Sequence, residues 1–196
     1  MQEHVHHAKS SVKFFSSDEI LSLLNFNGNE VFIDAGCGDG HIAISAAEKY
    51  LPDGLAYAVD SYEPSTEEIE EYKIRNNMDN LVVINADVTG DMVQIEDEAV
   101  DVILMVNVLH GFKASEKSDD VIDNANRILK SNGRFAVVEF RPVDLDVGPP
   151  VEIKYSPGEL EKIFNNHGFK KIYLNEDLGT DSPDGKSHYM IILEKV

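Results

Sequence analysis

The feature that most constrains this chain is residues 31–43, VFIDAGCGDGHIA. Val31, Phe32 and Ile33 read as a short buried strand that ends on an acid, Asp34, and Gly36, Gly38 and Gly40 follow before an amphipathic helix begins. Strand, glycine turn and helix in that order make a nucleotide-binding βα unit, because glycine lets the backbone turn tightly and approach a ligand closely. A dinucleotide fingerprint, G-x-G-x-x-G, requires a third glycine where this chain has His41. What stands instead is D-x-G-x-G-x-G. An acid at the strand tip faces a pyrophosphate badly and suits a cationic ammonium group well.

A second buried strand, residues 55–59, also ends in an acid, Asp60, twenty residues past Gly40. From that position a carboxylate accepts hydrogen bonds from both hydroxyls of a ribose, two acceptor oxygens against two donors. A third strand at residues 81–84 leads into Asn85, Ala86, Asp87 and Val88. The fourth, residues 101–106, is followed by Asn107, Val108, Leu109, His110, Gly111 and Phe112, at the edge where an open α/β sheet reverses strand order and ligands sit.

The run Asp34, Ala35, Gly36, Cys37, Gly38, Asp39, Gly40 resembles the first motif of class I S-adenosylmethionine-dependent methyltransferases. The stretch 127–134, RILKSNGR, resembles their R-x-L-K-P-G-G region, with Ser131 and Asn132 replacing proline and glycine. The match runs in the expected order from about residue 31 to residue 140. Within the class, N-V-L-H-G-F and the later Gly148, Pro149 and Pro150 look most like the small-molecule ubiquinone/menaquinone-biosynthesis (type 11) group. The resemblance implies S-adenosylmethionine as cofactor and S-adenosylhomocysteine as product. It implies cofactor contacts at Asp34, Gly36, Cys37, Gly38, Gly40, Asp60, Ser61, Asp87, Val88 and Asn107, with Asp87 on the adenine amino group and the Val88 amide at the ring. The implied fold is a Rossmann-like α/β architecture: a seven-stranded, mostly parallel sheet with an antiparallel C-terminal strand and helices on both faces.

Length fits one domain spanning residues 1–196. Lys and Arg total 17 against 36 Asp and Glu, a net charge of −19 that repels phosphate backbones and anionic lipid headgroups. Neither a nucleic acid nor a membrane is therefore an expected partner, while oligomeric state stays open. The single cysteine, Cys37, makes no intramolecular disulfide and no cysteine-based metal cluster. With no apolar run of spanning length and no signal-peptide core, the expected location is cytoplasmic.

Residues 1–15 begin polar, with His4, His6 and His7, and read as a flexible terminus without a metal site; the alternative is a segment folding over the cofactor, Phe14 and Phe15 excluding water. Ser16 opens a helix with Glu19 in the capping-box position. Further helices are expected at 42–50, 64–75 and 115–129, the last ended by a glycine stop at Gly133, and a fifth strand over 134–140. Glu67, Glu68, Glu70 and Glu71 form a solvated face. Residues 142–150 are a candidate lid loop, Ser156 caps a helix ending at Gly168, and strands at 171–175 and 188–193 flank a polar loop as a hairpin at the far edge.

His110 is the leading candidate for a general base, with a purely structural role equally open. Glu139 is better read as a backbone partner than as a base, and Arg141 and Lys154 offer positive charge for an anionic substrate. The expected activity is methyl transfer to a small molecule. The competing readings are a protein methyltransferase that steers a basic partner by its acidic surface, and a non-catalytic cofactor-binding module. An NAD-dependent oxidoreductase is opposed by His41, and arsenite methylation by the lack of thiolates beyond Cys37.

Overall fold

The computed structural model describes residues 11–90, 94–183 and 185–196. The histidines at positions 4, 6 and 7 lie outside the described residues. Seven strands form one sheet: β1 (Val31–Ala35), β2 (Leu55–Asp60), β3 (Leu81–Asn85), β4 (Val100–Val106), β5 (Leu129–Phe140), β6 (Phe169–Ser182) and β7 (Gly185–Lys195), in the order β3-β2-β1-β4-β5-β7-β6. β1 to β5 pair in parallel, and β7 lies antiparallel between β5 and β6. β4 (VDVILMV) is apolar almost throughout and buried from Val102 to Val106, as a central parallel strand covered on both faces must be.

Helices α1 (Ser17–Leu21), α2 (His41–Ser45) and α3 (Glu63–Asn76) cover one face of the sheet, where Ile20, Leu21, Ile42, Ala43 and Ile69 pack with Phe32 and Leu104. α5 (Ser118–Ile128) and α6 (Pro157–Asn166) cover the other, where Val121, Ile122, Leu160 and Phe164 pack with Ile33, Ile103 and Phe135. Between these groups the short α4 (Leu109–Ser115) rises from the end of β4. The expected caps are present. Ser16 accepts the Glu19 N–H, and Ser156 and Glu159 complete a reciprocal capping box. Glu67, Glu68 and Glu71 face solvent, while the half-buried Glu70 pairs with Lys73 at 3.1 Å.

Several elements differ from the sequence expectation. The helix expected over 42–50 is α-helical only to Ser45 and continues as a π turn, Ala46–Tyr50. The helix expected from Ser115 is α5 and starts at Ser118, while a separate helix that the sequence reading did not expect, α4, ends at Ser115 with Glu116 in left-handed backbone at φ 59°. The glycine stop expected at Gly133 is not where the helix ends: α5 stops at Ile128, β5 starts at Leu129 rather than Arg134, and Asn132, at φ 63°, lies in an irregular stretch inside that strand. The polar stretch after Asn175 is mostly strand, because register shifts between Asn175 and Leu178 and between Leu178 and Asp181 let β6 carry polar residues along an open edge. Finally, the segment expected to be flexible is packed from Ser11 onward: Ser11–Lys13 forms a 3-10 turn and Phe15 is buried.

Candidate active site

A cleft of about 500 Å³ opens over the C-terminal ends of β1, β2 and β4, at the place where the strand order turns from β1 back to β2 on one side and out to β4 on the other. Such a switch point leaves a crevice because the flanking connections run to opposite faces of the sheet.

The glycine loop forms its floor. Gly36 and Cys37 donate their N–H groups to the Val59 carbonyl at 2.7 and 3.0 Å, tying the loop to the tip of β2. Gly36 has φ 76°, and a Cβ there would lie 2.6 Å from Val108 Cγ2; Gly40 has φ 72°, and its Cβ would lie 2.6 Å from Ile69 Cδ1. Both positions combine left-handed backbone with no room for a side chain. Cys37 lines the cleft, and burial, with Asp34 and Asp60 nearby, pushes its thiol well above the ordinary range, which disfavours the thiolate.

The acids fall where the spacing puts them. Asp34 is buried, and its Oδ2 accepts the Ala43 N–H at 3.2 Å. Burial pushes its carboxyl up to about 7, against the opposing pull of His41 and of the Ala43 N–H. Asp60 Oδ2 accepts the Gly38 N–H and its Oδ1 the Tyr62 N–H, both at 2.9 Å, leaving lone pairs on each oxygen. Asp87 follows β3, is exposed, and accepts both the backbone N–H and the hydroxyl of Thr89 on Oδ1. Asp34, Asp60, Ser61, Asp87, Val88 and Asn107 all line the same cleft. Asn107 sits at φ 58°, and its buried Oδ1 has no hydrogen-bond partner among the described residues.

The other end of the cleft is aromatic. Phe14 meets Phe140 edge to face at 5.2 Å, and Gly148 lies so close to the Phe140 ring that a Cβ there would come within 2.7 Å of it. His110, in the first turn of α4, also lines the cleft and is itself buried. Its ring Nδ1 is 2.9 Å from Glu139 Oε2, and its backbone N–H donates to Glu139 Oε1 at 3.0 Å. The expected substrate cations do not reach this space. Arg141 Nη1 donates to the Lys186 carbonyl, and buried Lys154 donates from Nζ to the Val143 carbonyl at 2.6 Å, so both serve main chain and neither lines the cleft.

A family model described as a methyltransferase domain matches residues 26–191. The chain belongs to that family. Among solved structures, a SAM-dependent methyltransferase from Aquifex aeolicus superposes on this methyltransferase domain with a TM-score of 0.80 at 20% identity, covering 96% of this chain and 95% of that one. A SAM-dependent methyltransferase from Methanosarcina mazei superposes with a TM-score of 0.70 at 15% identity, over 90% and 97% of the two chains. The trans-methyltransferase CalH, in complex with SAH, gives 0.68 at 17% identity, over 87% and 52%. At these identities the likeness is one of fold. A search of curated proteins returned no match.

In this methyltransferase domain the structure brings Asp34, Gly36, Cys37, Gly38, Asp60, Ser61, Asp87, Val88, Asn107 and His110 to one cleft, which Gly40 does not line. The sequence reading missed Phe140, Ser11 and His41 as cleft residues. The His41 ring joins Asp39 at 2.7 Å through Nδ1 and the Ser11 hydroxyl at 3.3 Å through Nε2. Those contacts bring the start of the described chain onto the glycine loop. Position 41 carried the one available signal, an imidazole where a dinucleotide site has glycine. Among the described residues no cluster of side chains could hold a metal ion, and no helix is long and apolar enough to cross a membrane.

Proposed function

We propose that this methyltransferase domain transfers a methyl group from S-adenosylmethionine to a small-molecule acceptor. The observation that carries the reading is the row of carboxylates, Asp34, Asp60 and Asp87, at or just past the tips of three adjacent strands and all on one cleft. The buried Asp34 carboxyl, held near neutrality by its surroundings, gains most from a cationic amine. Asp60, with Ser61 beside it, has acceptor capacity for a ribose diol, and exposed Asp87 with the Val88 amide suits an adenine edge. The orphaned Asn107 Oδ1 calls for a donor from the cofactor's amino-acid end. Gly36, Cys37, Gly38 and Gly40 keep the backbone clear for that approach, so the residues present fit the cofactor.

When bound, S-adenosylmethionine supplies an activated sulfonium methyl group. The chain's own work is to hold the acceptor close and dry, which Phe14, Phe140 and the loop through Gly148 do at the aromatic end. His110 stands there as the candidate base. The Asn107-to-Phe112 run and the Gly148-to-Pro150 loop favour the type 11 group. A net charge of −19 weighs against nucleic acid and anionic membrane as substrates, and the single cysteine suits a cytoplasmic setting.

The test is calorimetry with adenosylhomocysteine and with a nicotinamide dinucleotide, followed by mass spectrometry of a metabolite extract incubated with methyl-labelled S-adenosylmethionine. Adenosylhomocysteine binds and one small metabolite gains the label if the reading is right. Preferential binding of the dinucleotide would end it.

A further inference from the structure

We infer that Glu139 is a positioning residue for methyl transfer: it fixes the His110 imidazole as the Nδ1–H form, so that Nε2 carries the lone pair that takes a proton from the acceptor. The inference rests on the methyl-transfer reading and narrows it, because it requires an acceptor whose nucleophilic atom bears a hydrogen.

The geometry is specific. Glu139 is fully buried near the end of β5, and its carboxylate gathers three groups. Oε1 accepts the His110 backbone N–H at 3.0 Å, and Oε2 lies 3.3 Å from the Phe140 N–H. Between these, the His110 ring nitrogen Nδ1 sits 3.1 Å from Oε1 and 2.9 Å from Oε2. An ionised carboxylate has acceptors only, so facing the imidazole it takes the Nδ1–H as a third donor beside the two main-chain N–H groups. A neutral imidazole that donates at Nδ1 keeps its lone pair on Nε2. A base oriented by a third group that fixes its tautomer is the arrangement that activates nucleophiles in unrelated folds.

The ring is placed for this use. His110 lines the cleft with Gly111 and Phe112, and its ring centroid lies 6.3 Å from that of Phe140. The backbone bond from His110 to Glu139 fixes the start of α4 relative to β5, so ring and carboxylate move as one body. A helix cap alone would need only that backbone bond, whereas here the ring nitrogen makes the shorter contact.

The step balances as follows. The acceptor atom gives its lone pair to the methyl carbon, and the carbon–sulfur bond breaks with its electron pair left on sulfur. The acceptor's hydrogen leaves as a proton to His110 Nε2. The resulting imidazolium faces the Glu139 carboxylate until water removes the proton.

The experiment uses the full chain with nitrogen-15-labelled histidine, His110 being assigned by the resonances lost in His110→Asn. Long-range proton–nitrogen correlation spectra read the tautomer directly. The expected wild-type pattern is a protonated Nδ1 and an unprotonated Nε2. In Glu139→Gln the side-chain amide can donate to Nδ1, so the proton moves to Nε2; adenosylhomocysteine affinity stays unchanged, and methyl incorporation from labelled S-adenosylmethionine into the extract falls by roughly 10²–10⁴-fold. The methylated product carries a methyl in place of a hydrogen and gains no fixed charge. An unprotonated Nδ1 in the wild type overturns the inference whatever the variant does, including failure to fold. An unaltered tautomer with full methyl incorporation in Glu139→Gln reduces Glu139 to a helix cap, and a product that becomes a fixed cation removes the need for a base. Failure of the wild type to bind adenosylhomocysteine would instead strike the methyl-transfer reading, and this inference with it.

Discussion

Asp34→Asn separates what the carboxyl does for the ligand from what it does to the fold. In the folded protein burial moves this group from its ordinary value of 3.8 to about 7. The folded state therefore holds a proton between those two values that the unfolded chain has already released. Stability falls with rising pH wherever the folded state binds more protons, so Asp34 weakens the fold progressively from about pH 4 to about pH 7. At about 1.36 kcal/mol per pH unit, the full penalty is about 4 kcal/mol above pH 7, a large part of a small domain's stability. The amide that replaces the carboxyl has no proton to lose. Denaturant unfolding of both proteins between pH 4 and pH 8 checks this, and the difference between them cancels every other titrating group, His188 included. The variant should be of similar stability near pH 4 and more stable by up to about 4 kcal/mol at pH 8, while binding adenosylhomocysteine far more weakly. Parallel stability profiles would refute the claim that Asp34 is a strained acid waiting for a cation.

Asp60→Ala should weaken adenosylhomocysteine binding by about 1–3 kcal/mol in calorimetry, through lost charge-assisted hydrogen bonds and the freed Gly38 N–H. Gly36→Ala forces a Cβ to within 2.6 Å of Val108 at φ 76°, and should cost about 2–5 kcal/mol in denaturant unfolding, from left-handed strain plus overpacking. Burial beside Lys154 and His110 holds His188 down at about 3, below its ordinary 6.5. Its neutral form therefore contributes stability that is intact above about pH 6.5 and lost as pH falls toward 3, and His188→Gln should flatten that acid limb of the stability profile.

The acidic side of the cleft was legible in the sequence because it is written locally. Asp34 and the glycines share one turn, and Asp60 and Asp87 each close a strand whose apolar run is visible in the chain. The aromatic side was not, since Phe14 and Phe140 meet only when the start of the chain is folded onto the tip of β5. Glu139 lay halfway between: its place at a strand tip could be read, but its grip on the His110 ring depends on α4 turning back over β5. The end of α4 at Glu116 and the irregularity at Asn132 within β5 escaped because both use left-handed backbone without glycine, a conformation that tertiary packing imposes and composition does not signal.

The placement of β7 has a consequence for how the molecule is made. Of the seven strands it is made after the other six, yet it lies inside the sheet, and β6 joins the sheet only through it. Synthesis therefore delivers β6 before it has a neighbour to bind, and the backbone edge of β5 waits uncovered until β7 enters between them. The sheet cannot close until β7 has been made.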